Sequence, residues 1–230
     1  MIWTSDLNTA RIVRRSSVCV LSALIGSTIL WAAGCNILGP AFLLAHGPPR
    51  VPEEYTLDKH RVTTVLVDDP NTVFPRRQYR VVVSQQIEER LIDRRAVAVD
   101  MVSSQYVLAL VNRETPGERR TIPQLGRDVG AEVVLWVTFD RFTLAPDGQT
   151  FRPTSVVRVK VVDAVNDTVL WPDAPAGYKM TVQMDAKTTS LPESFSARAQ
   201  VELDLALYSG KAIAELFYEV EQTFSAREGN

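Results

Sequence analysis

From Val18 to Gly34 the chain carries no charged side chain, and Arg11, Arg14 and Arg15 stand just ahead of that run. A stretch this apolar has no place on the surface of a soluble domain. Its order of basic flank, apolar centre and small residues is that of an export signal, so the fold has to be sought downstream. Two other fates of the stretch stay open at this point: export of a soluble product, or a retained span reaching from Val18 towards Ala45, since about 20 apolar residues suffice to cross a bilayer. Gly34, Asn36, Gly39 and Pro40 weigh against the span, because they interrupt a helix just where it would become long enough. The Arg14-Arg15 pair is also compatible with a twin-arginine signal, although arginine pairs occur in ordinary signals too.

The run ends Trp31-Ala32-Ala33-Gly34-Cys35. Small side chains immediately before a cysteine resemble the lipobox of bacterial lipoproteins, with one departure, Ala32 where such motifs usually place Leu. The resemblance implies cleavage between Gly34 and Cys35 and attachment of lipid, palmitate included, to the Cys35 sulfur. It also implies a protein held on an envelope membrane, inner or outer, and facing the periplasm. Downstream, Gly39, Pro40, Gly47, Pro48, Pro49 and Pro52 disfavour helix and central strand and read as a tether. The expected organisation is a signal peptide over 1–34, a lipidated cysteine with its tether over 35–59, and one domain over 60–230.

Whatever folds beyond the signal is mildly acidic. The whole chain has a formal net charge of -2, of which residues 1–34 contribute +2. A nucleic-acid partner is not expected, because phosphate backbones are bound by clustered Lys and Arg. Cys19 and Cys35 are the only cysteines and both precede the domain, which excludes a disulfide or thiolate metal site within it. The two histidines, His46 and His60, lack a second ligand at zinc spacing, and no metal or other cofactor is expected.

The domain reads as alternating strands and helices. Arg61–Val67 is β-branched and ends at Asp68-Asp69-Pro70, a first buried strand. Pro75 opens a helix whose Tyr79, Val83, Ile87 and Leu91 recur every four residues. Ala96–Val102 is a second strand, and the segment around Tyr106 to Val111 is left unassigned. A short helix over Ile122–Val129 closes at Gly130, and Glu132–Phe139 is a third strand. After the Asp147-Gly148 turn come Val156–Val162, Thr168–Trp171 and Tyr178–Met184, read as hairpin-linked strands. Ser190 to Glu193 has capping-box spacing ahead of a helical stripe of Leu203, Leu207, Ala214, Phe217 and Phe224, with a break or kink expected at Gly210. The fold class is α/β: a mixed β-sheet with helices packed on it, in the order βαβαβββα.

Two segments carry a family resemblance, Leu125-Gly-Arg-Asp-Val-Gly-Ala-Glu-Val-Val-Leu-Trp-Val and Val159-Lys-Val-Val-Asp-Ala-Val-Asn-Asp-Thr-Val-Leu-Trp171. They resemble the helix-Gly-Ala-strand and strand-Val-Asp-Ala-turn-strand steps of envelope lipoproteins related to the curli-secretion lipoprotein, the Tol translocation protein's amino-terminal domain and the penicillin-binding-protein activators. The resemblance implies a small α/β domain used for protein contacts: an accessory, scaffold or assembly factor, with an envelope protein or a second copy as partner. An alternative is a subunit of an oligomeric secretion pore, for which Val156–Met184 is the plausible membrane-hairpin stretch.

For catalysis the parts are missing. There is no Gly-x-Ser-x-Gly, no phosphate-binding Gly-rich loop and no CxxC, and neither histidine is well placed for a triad, so no enzyme is expected. A periplasmic hydrolase with an unrecognised site stays as an alternative, resting on Asp68 and Asp69 after the first strand, although Asp-Asp-Pro is commonly a solvated turn. Trp136, Trp171, Phe139 and Phe142 could form an aromatic contact surface, with Trp136 better explained as core. The candidate partner contacts are Phe142, just past a strand, and the basic cluster Arg76, Arg77 and Arg80 at a helix start, suited to anionic lipid or cell-wall polymer.

Overall fold

The structure is a computed structural model and describes residues 50–97, 101–115, 117, 119–185 and 190–221. Gly34, Cys35, His46, most of the tether and Phe224 lie outside the described residues. The architecture follows from strand β1, Thr63–Asp68, in which every residue from Thr63 to Val67 is buried. β1 runs parallel to β2 (Met101–Val102) on one edge, with Thr63 beside Met101. On its other edge it runs parallel to β3 (Val133–Thr143), with Val67 beside Val137. β3 pairs antiparallel with β4 (Thr154–Asp163). The sheet is mixed, as the sequence order required.

Because side chains alternate across a strand, a strand buried on both faces needs a layer on each. Val65 and Val67 enter one apolar cluster with helix α1 (Gln78–Asp93) and helix α4 (Phe195–Ala214). Leu66 enters a second cluster with α2 (Ser104–Asn112) and α3 (Ile122–Asp128), where it meets Val107, Leu108, Leu125 and Val134. The α1 stripe lies where its spacing predicts, with Tyr79, Val83, Ile87 and Leu91 buried. The unassigned segment around Tyr106 is α2, started by Ser103, whose side chain accepts from the Gln105 N–H. α3 has a capping box between Thr121 and Gln124.

Several details differ from the sequence reading. The second strand is confined to Met101–Val102 among the described residues. α4 is capped by Ser194, whose side chain accepts from the Ala197 N–H, rather than by Ser190. Leu207 is exposed; the buried stripe of α4 is instead Leu205, Ala206, Ser209, Gly210, Ile213 and Ala214. Gly210 neither breaks nor kinks this helix. It sits where α4 crosses α1: a Cβ there would lie 2.8 Å from the Gln86 Cβ and 3.0 Å from the Val83 carbonyl oxygen. Glycine is needed for the closeness of the crossing, and the buried 2.8 Å bond between Ser155 and Ser209 ties α4 to β4.

The expected meander is also different. β5 (Thr168–Trp171) and β6 (Tyr178–Gln183) both pair with β4, Val169 beside Val162 and Tyr178 beside Val159, so they form one interrupted edge. Pro172 and Pro175, which have no N–H to donate, lie in the excursion between them, and Trp171 stacks on Tyr178 at 4.9 Å across the gap. At the other end, residues 50–59, expected to belong to a tether, are described as chain that packs on the domain. The Glu54 N–H donates to the Leu216 carbonyl at 2.8 Å, and Leu57 is buried in the apolar core.

One buried polar hub joins these parts. Asp163, at the end of β4, receives Arg61 Nη2 at 2.9 Å, the Val165 and Asn166 N–H groups, and the Asn166 side-chain amide. The bond from Arg61 holds the Asp163 carboxyl well below the usual carboxylate range against the opposing effect of burial, with Asn166 and Val165 helping.

Two predictions follow from this packing. Gly210→Ala lowers stability by up to about 2 kcal/mol in urea unfolding, because overpacking of about 1–3 kcal/mol outweighs roughly 1 kcal/mol of better helix propensity. Asp163→Asn lowers it by about 3 kcal/mol, since Arg61 loses its charge partner. Asp163 is a depressed carboxylate, so its contribution is present above the unfolded value of about 3.9 and is lost as pH falls through the lower folded value. Acid titration of stability should show the wild type losing ground below about pH 5 and on down past 4, and the Asn variant losing less over that window.

Candidate functional site

β1 hands the chain to α1 and thence to β2 on one side, while β3 lies on its other side. Outside the carboxyl end of such a strand, open α/β sheets form a crevice where ligands bind. Here it is a cleft of about 490 Å³ whose charged lining comprises Asp68, Asp69, Arg77, Arg80, Glu114, Arg119 and Arg120, over an apolar floor that includes Leu66, Ile122 and Leu125.

The two aspartates have different employment. Asp69 accepts the Val73 N–H at 2.7 Å and the Phe74 N–H at 3.2 Å, and its carbonyl accepts from the Thr72 N–H. This shapes the β1–α1 loop, including the left-handed Thr72 at φ 54°. The turn reading of Asp-Asp-Pro thus describes Asp69 well, while Asp68 stands half-buried in the cleft wall.

The three arginines grouped in the sequence are divided by the structure. Arg76 faces α4, with Nε 3.4 Å from Glu202 and its guanidinium 4.5 Å over the Phe195 ring. Glu202 also receives the Tyr79 hydroxyl at 3.0 Å, and burial together with that carboxylate pushes the Tyr79 phenol up to about 12. Arg80 lines the cleft instead. Its Nε donates to the Val67 carbonyl at 3.0 Å, and its Nη2 is buried without a hydrogen-bond partner among the described residues. Burial pushes its pKa down, with Asp68 and Asp69 opposing. Arg77 is an exposed cleft residue. Across the opening, Arg120 is engaged by Asp128 at 2.9 Å and Glu114 at 4.0 Å, whereas exposed Arg119 has no ion pair among the described residues.

Phe142 is not an exposed contact. It is 8% accessible and packs against Phe74 at 5.1 Å and Tyr79 at 6.0 Å. The cause is a bulge: the register of β3 shifts between Phe139 and Arg141, so the side that faced solvent beyond Phe139 becomes the core side at Phe142. Phe139 is core rather than a contact residue, and Trp136, expected in the core, is only half-buried, with Lys160 Nζ 5.0 Å over its ring. Val156–Met184 is folded as β4 with its edge, and Val157, Val159 and Val161 sit in the core. His60 is exposed, and its backbone N–H donates to the Asp58 side chain at 2.9 Å.

The sequence reading missed an exposed apolar strip. Val165, Val169 and Leu170 are exposed on the β4–β5 hairpin at the sheet's edge. Their signal was available: valines flanking an Asn-Asp turn, where polar residues would be expected. Among the described residues no three His, Cys, Asp or Glu side chains come together as metal ligands.

No protein-family model matches the chain, and no curated protein matches it. Several solved structures are similar in arrangement. A PelC dodecamer from Paraburkholderia phytofirmans is 11% identical with a TM-score of 0.41, covering 74% of this chain and 97% of that one. Lipoprotein GNA1162 from Neisseria meningitidis is 12% identical with a TM-score of 0.38, covering 61% and 90%. The C-terminal domain of LpoB from Salmonella enterica is 12% identical with a TM-score of 0.34, covering 56% and 86%. Similarity of this degree assigns no activity, and the chain's own residues carry the functional reading.

The geometry of the β1–α1 loop makes one prediction. Asp69→Ala leaves the Val73 and Phe74 N–H groups without their acceptor and should cost about 1–2 kcal/mol in thermal or denaturant unfolding. Asp69→Asn, which keeps an oxygen acceptor, should cost less.

Proposed function

We propose that this chain is a lipoprotein of the bacterial envelope, anchored through acylated Cys35 with its α/β domain facing the periplasm, and that it serves without catalysis as an accessory or assembly factor. The observation that carries this reading is Cys35 itself, set behind Ala32-Ala33-Gly34 at the end of an uncharged run with a basic flank. Each methylene buried in a bilayer contributes about 0.8 kcal/mol, so two or three acyl chains on one cysteine hold a domain firmly where one would not. The residues between Cys35 and Arg50 act as the tether.

The partner-binding surface in this reading is the β4–β5 hairpin, not Phe142. Val165, Val169 and Leu170 place apolar side chains in water on a sheet edge, where strand addition or apolar contact stabilises a complex. Val169 and Leu170, adjacent in an edge strand, expose apolar side chains on its two faces, so the edge itself is the element offered for strand addition.

The test is a crosslinking pull-down from membranes of cells carrying the native chain, Cys35→Ser, or Val169→Asp with Leu170→Asp. The native chain should fractionate with membranes and capture an envelope protein. Cys35→Ser should move to the soluble fraction, and the hairpin variant should stay on the membrane and lose the captured protein. A Cys35→Ser chain that remains membrane-bound would overturn the anchor and restore the retained span. A hairpin variant that keeps the same partner would overturn the contact surface.

A further inference from the structure

The cleft beyond β1 has more guanidinium than its own carboxylates neutralise. Asp69 is committed to the Val73 and Phe74 N–H groups, and Glu114 is taken by the backbone and side chain of Arg120. Asp68, together with the charge but not the hydrogen-bonding capacity of Asp69, faces Arg77, Arg80 and Arg119, none of which has an ion pair within 4 Å among the described residues. Arg80 is fixed at Nε by the Val67 carbonyl while its buried Nη2 has no acceptor. A guanidinium carries five N–H donors in a planar fork, and one left short of acceptors in a cleft wall is a ready-made half of a bidentate oxyanion contact.

The start of α1 adds to the same imbalance. Arg77 occupies the N-cap and supplies no side-chain acceptor, and the first turn contains no acid. Basic side chains beside the positive end of a sixteen-residue helix raise a potential that an anion relieves. The loop that presents them is already shaped by Asp69, so little ordering is required on binding. A divalent cation fits less well, because the Asp69 oxygens are occupied by N–H donors and Asp68 would be left nearly alone among cations.

We propose that this cleft binds a phosphate-type oxyanion, with Arg80 as the inner contact and Arg77 and Arg119 closing over it at the rim. The space of about 490 Å³ exceeds that of a bare ion and leaves room for a phosphate ester with a small substituent, either a soluble one or the headgroup of an anionic phospholipid. The site is independent of the anchor at Cys35 and of the hairpin edge.

The experiment titrates inorganic phosphate into the full chain in detergent at low salt, followed by calorimetry and by ³¹P line broadening. Saturable one-to-one binding is expected. Arg77→Gln with Arg119→Gln, both at exposed positions, should weaken it about tenfold or more with the thermal melt unchanged, and Arg80→Gln should abolish it. Should Arg80→Gln fail to fold, the rim variant alone decides. Competition with soluble short-chain phosphatidylglycerol separates the two sources. Displacement of phosphate supports a headgroup site, and retention supports a site for a soluble ester. Absence of saturable binding by the folded native chain, or binding of equal strength by the rim variant, overturns the proposal.

Discussion

Strand β1 is covered on both faces and paired on both edges, and this constraint organises the rest of the molecule. Val65, Leu66 and Val67 are wholly buried, and burying such a side chain contributes roughly 1.5–3 kcal/mol only if something covers it. Alternation sends Val65 and Val67 to α1 and α4 and Leu66 to α2 and α3. The helices therefore cannot all lie on one side. The connection through α1 to β2 on one edge, with β3 on the other, opens the crevice in which the charged residues gather. The cleft is thus a consequence of satisfying β1, and its lining is what the ends of the surrounding elements bring to that place.

A polar constraint complements the apolar one. Arg61 precedes β1, Glu132 precedes β3, and Asp163 ends β4, and the three meet: Arg61 Nη2 lies 2.9 Å from Asp163 and 3.1 Å from the Glu132 carbonyl oxygen. The hub fixes the register of three strands at one end of the sheet, opposite to the cleft end of β1. It also shapes the hairpin beyond Asp163, because the same carboxylate accepts the Val165 and Asn166 N–H groups. The turn that leads to the exposed edge residues Val169 and Leu170 is thereby held by a charge-assisted network.

How far the sequence alone reached depended on the range of the physics involved. Helix α1 was legible because its burial pattern is local: Tyr79, Val83, Ile87 and Leu91 report one face at one period. The strands around Val65, Val134 and Val159 were legible for the same reason. Phe142 was misplaced because a bulge near Asp140 changes the phase of alternation, and nothing in the residue types there announces the change. Gly210 was read by propensity as a helix breaker, whereas its role is set by α1, more than a hundred residues earlier in the chain. The division of β5 and β6 along one edge of β4 likewise needed a long-range pairing to be seen. Asp68 and Asp69 were found at the right place, but the arginines facing them from beyond α2 were not, since Arg119 and Arg120 join the cleft only through the fold.

The fate of Arg76, Arg77 and Arg80 shows why a basic cluster in sequence is not yet a basic surface. Residues three apart share a side of a helix and adjacent residues do not. Arg76 therefore goes with Tyr79 towards α4, where Glu202 and the Phe195 ring take it up. Arg77 goes with Arg80 to the cleft, where Asp68 and the charge of Asp69 face them without forming an ion pair within 4 Å among the described residues. One of the three charges is thus structural and two are available. The available pair gains its third member, Arg119, from the far wall, so the recognising charge of the cleft is assembled from segments that no local pattern connects. That assembly gives the cleft a net attraction for anions on a domain whose residues are, taken together, mildly acidic. An anion drawn there is held by placement rather than by overall charge, and its binding should be specific to the fold and lost with it.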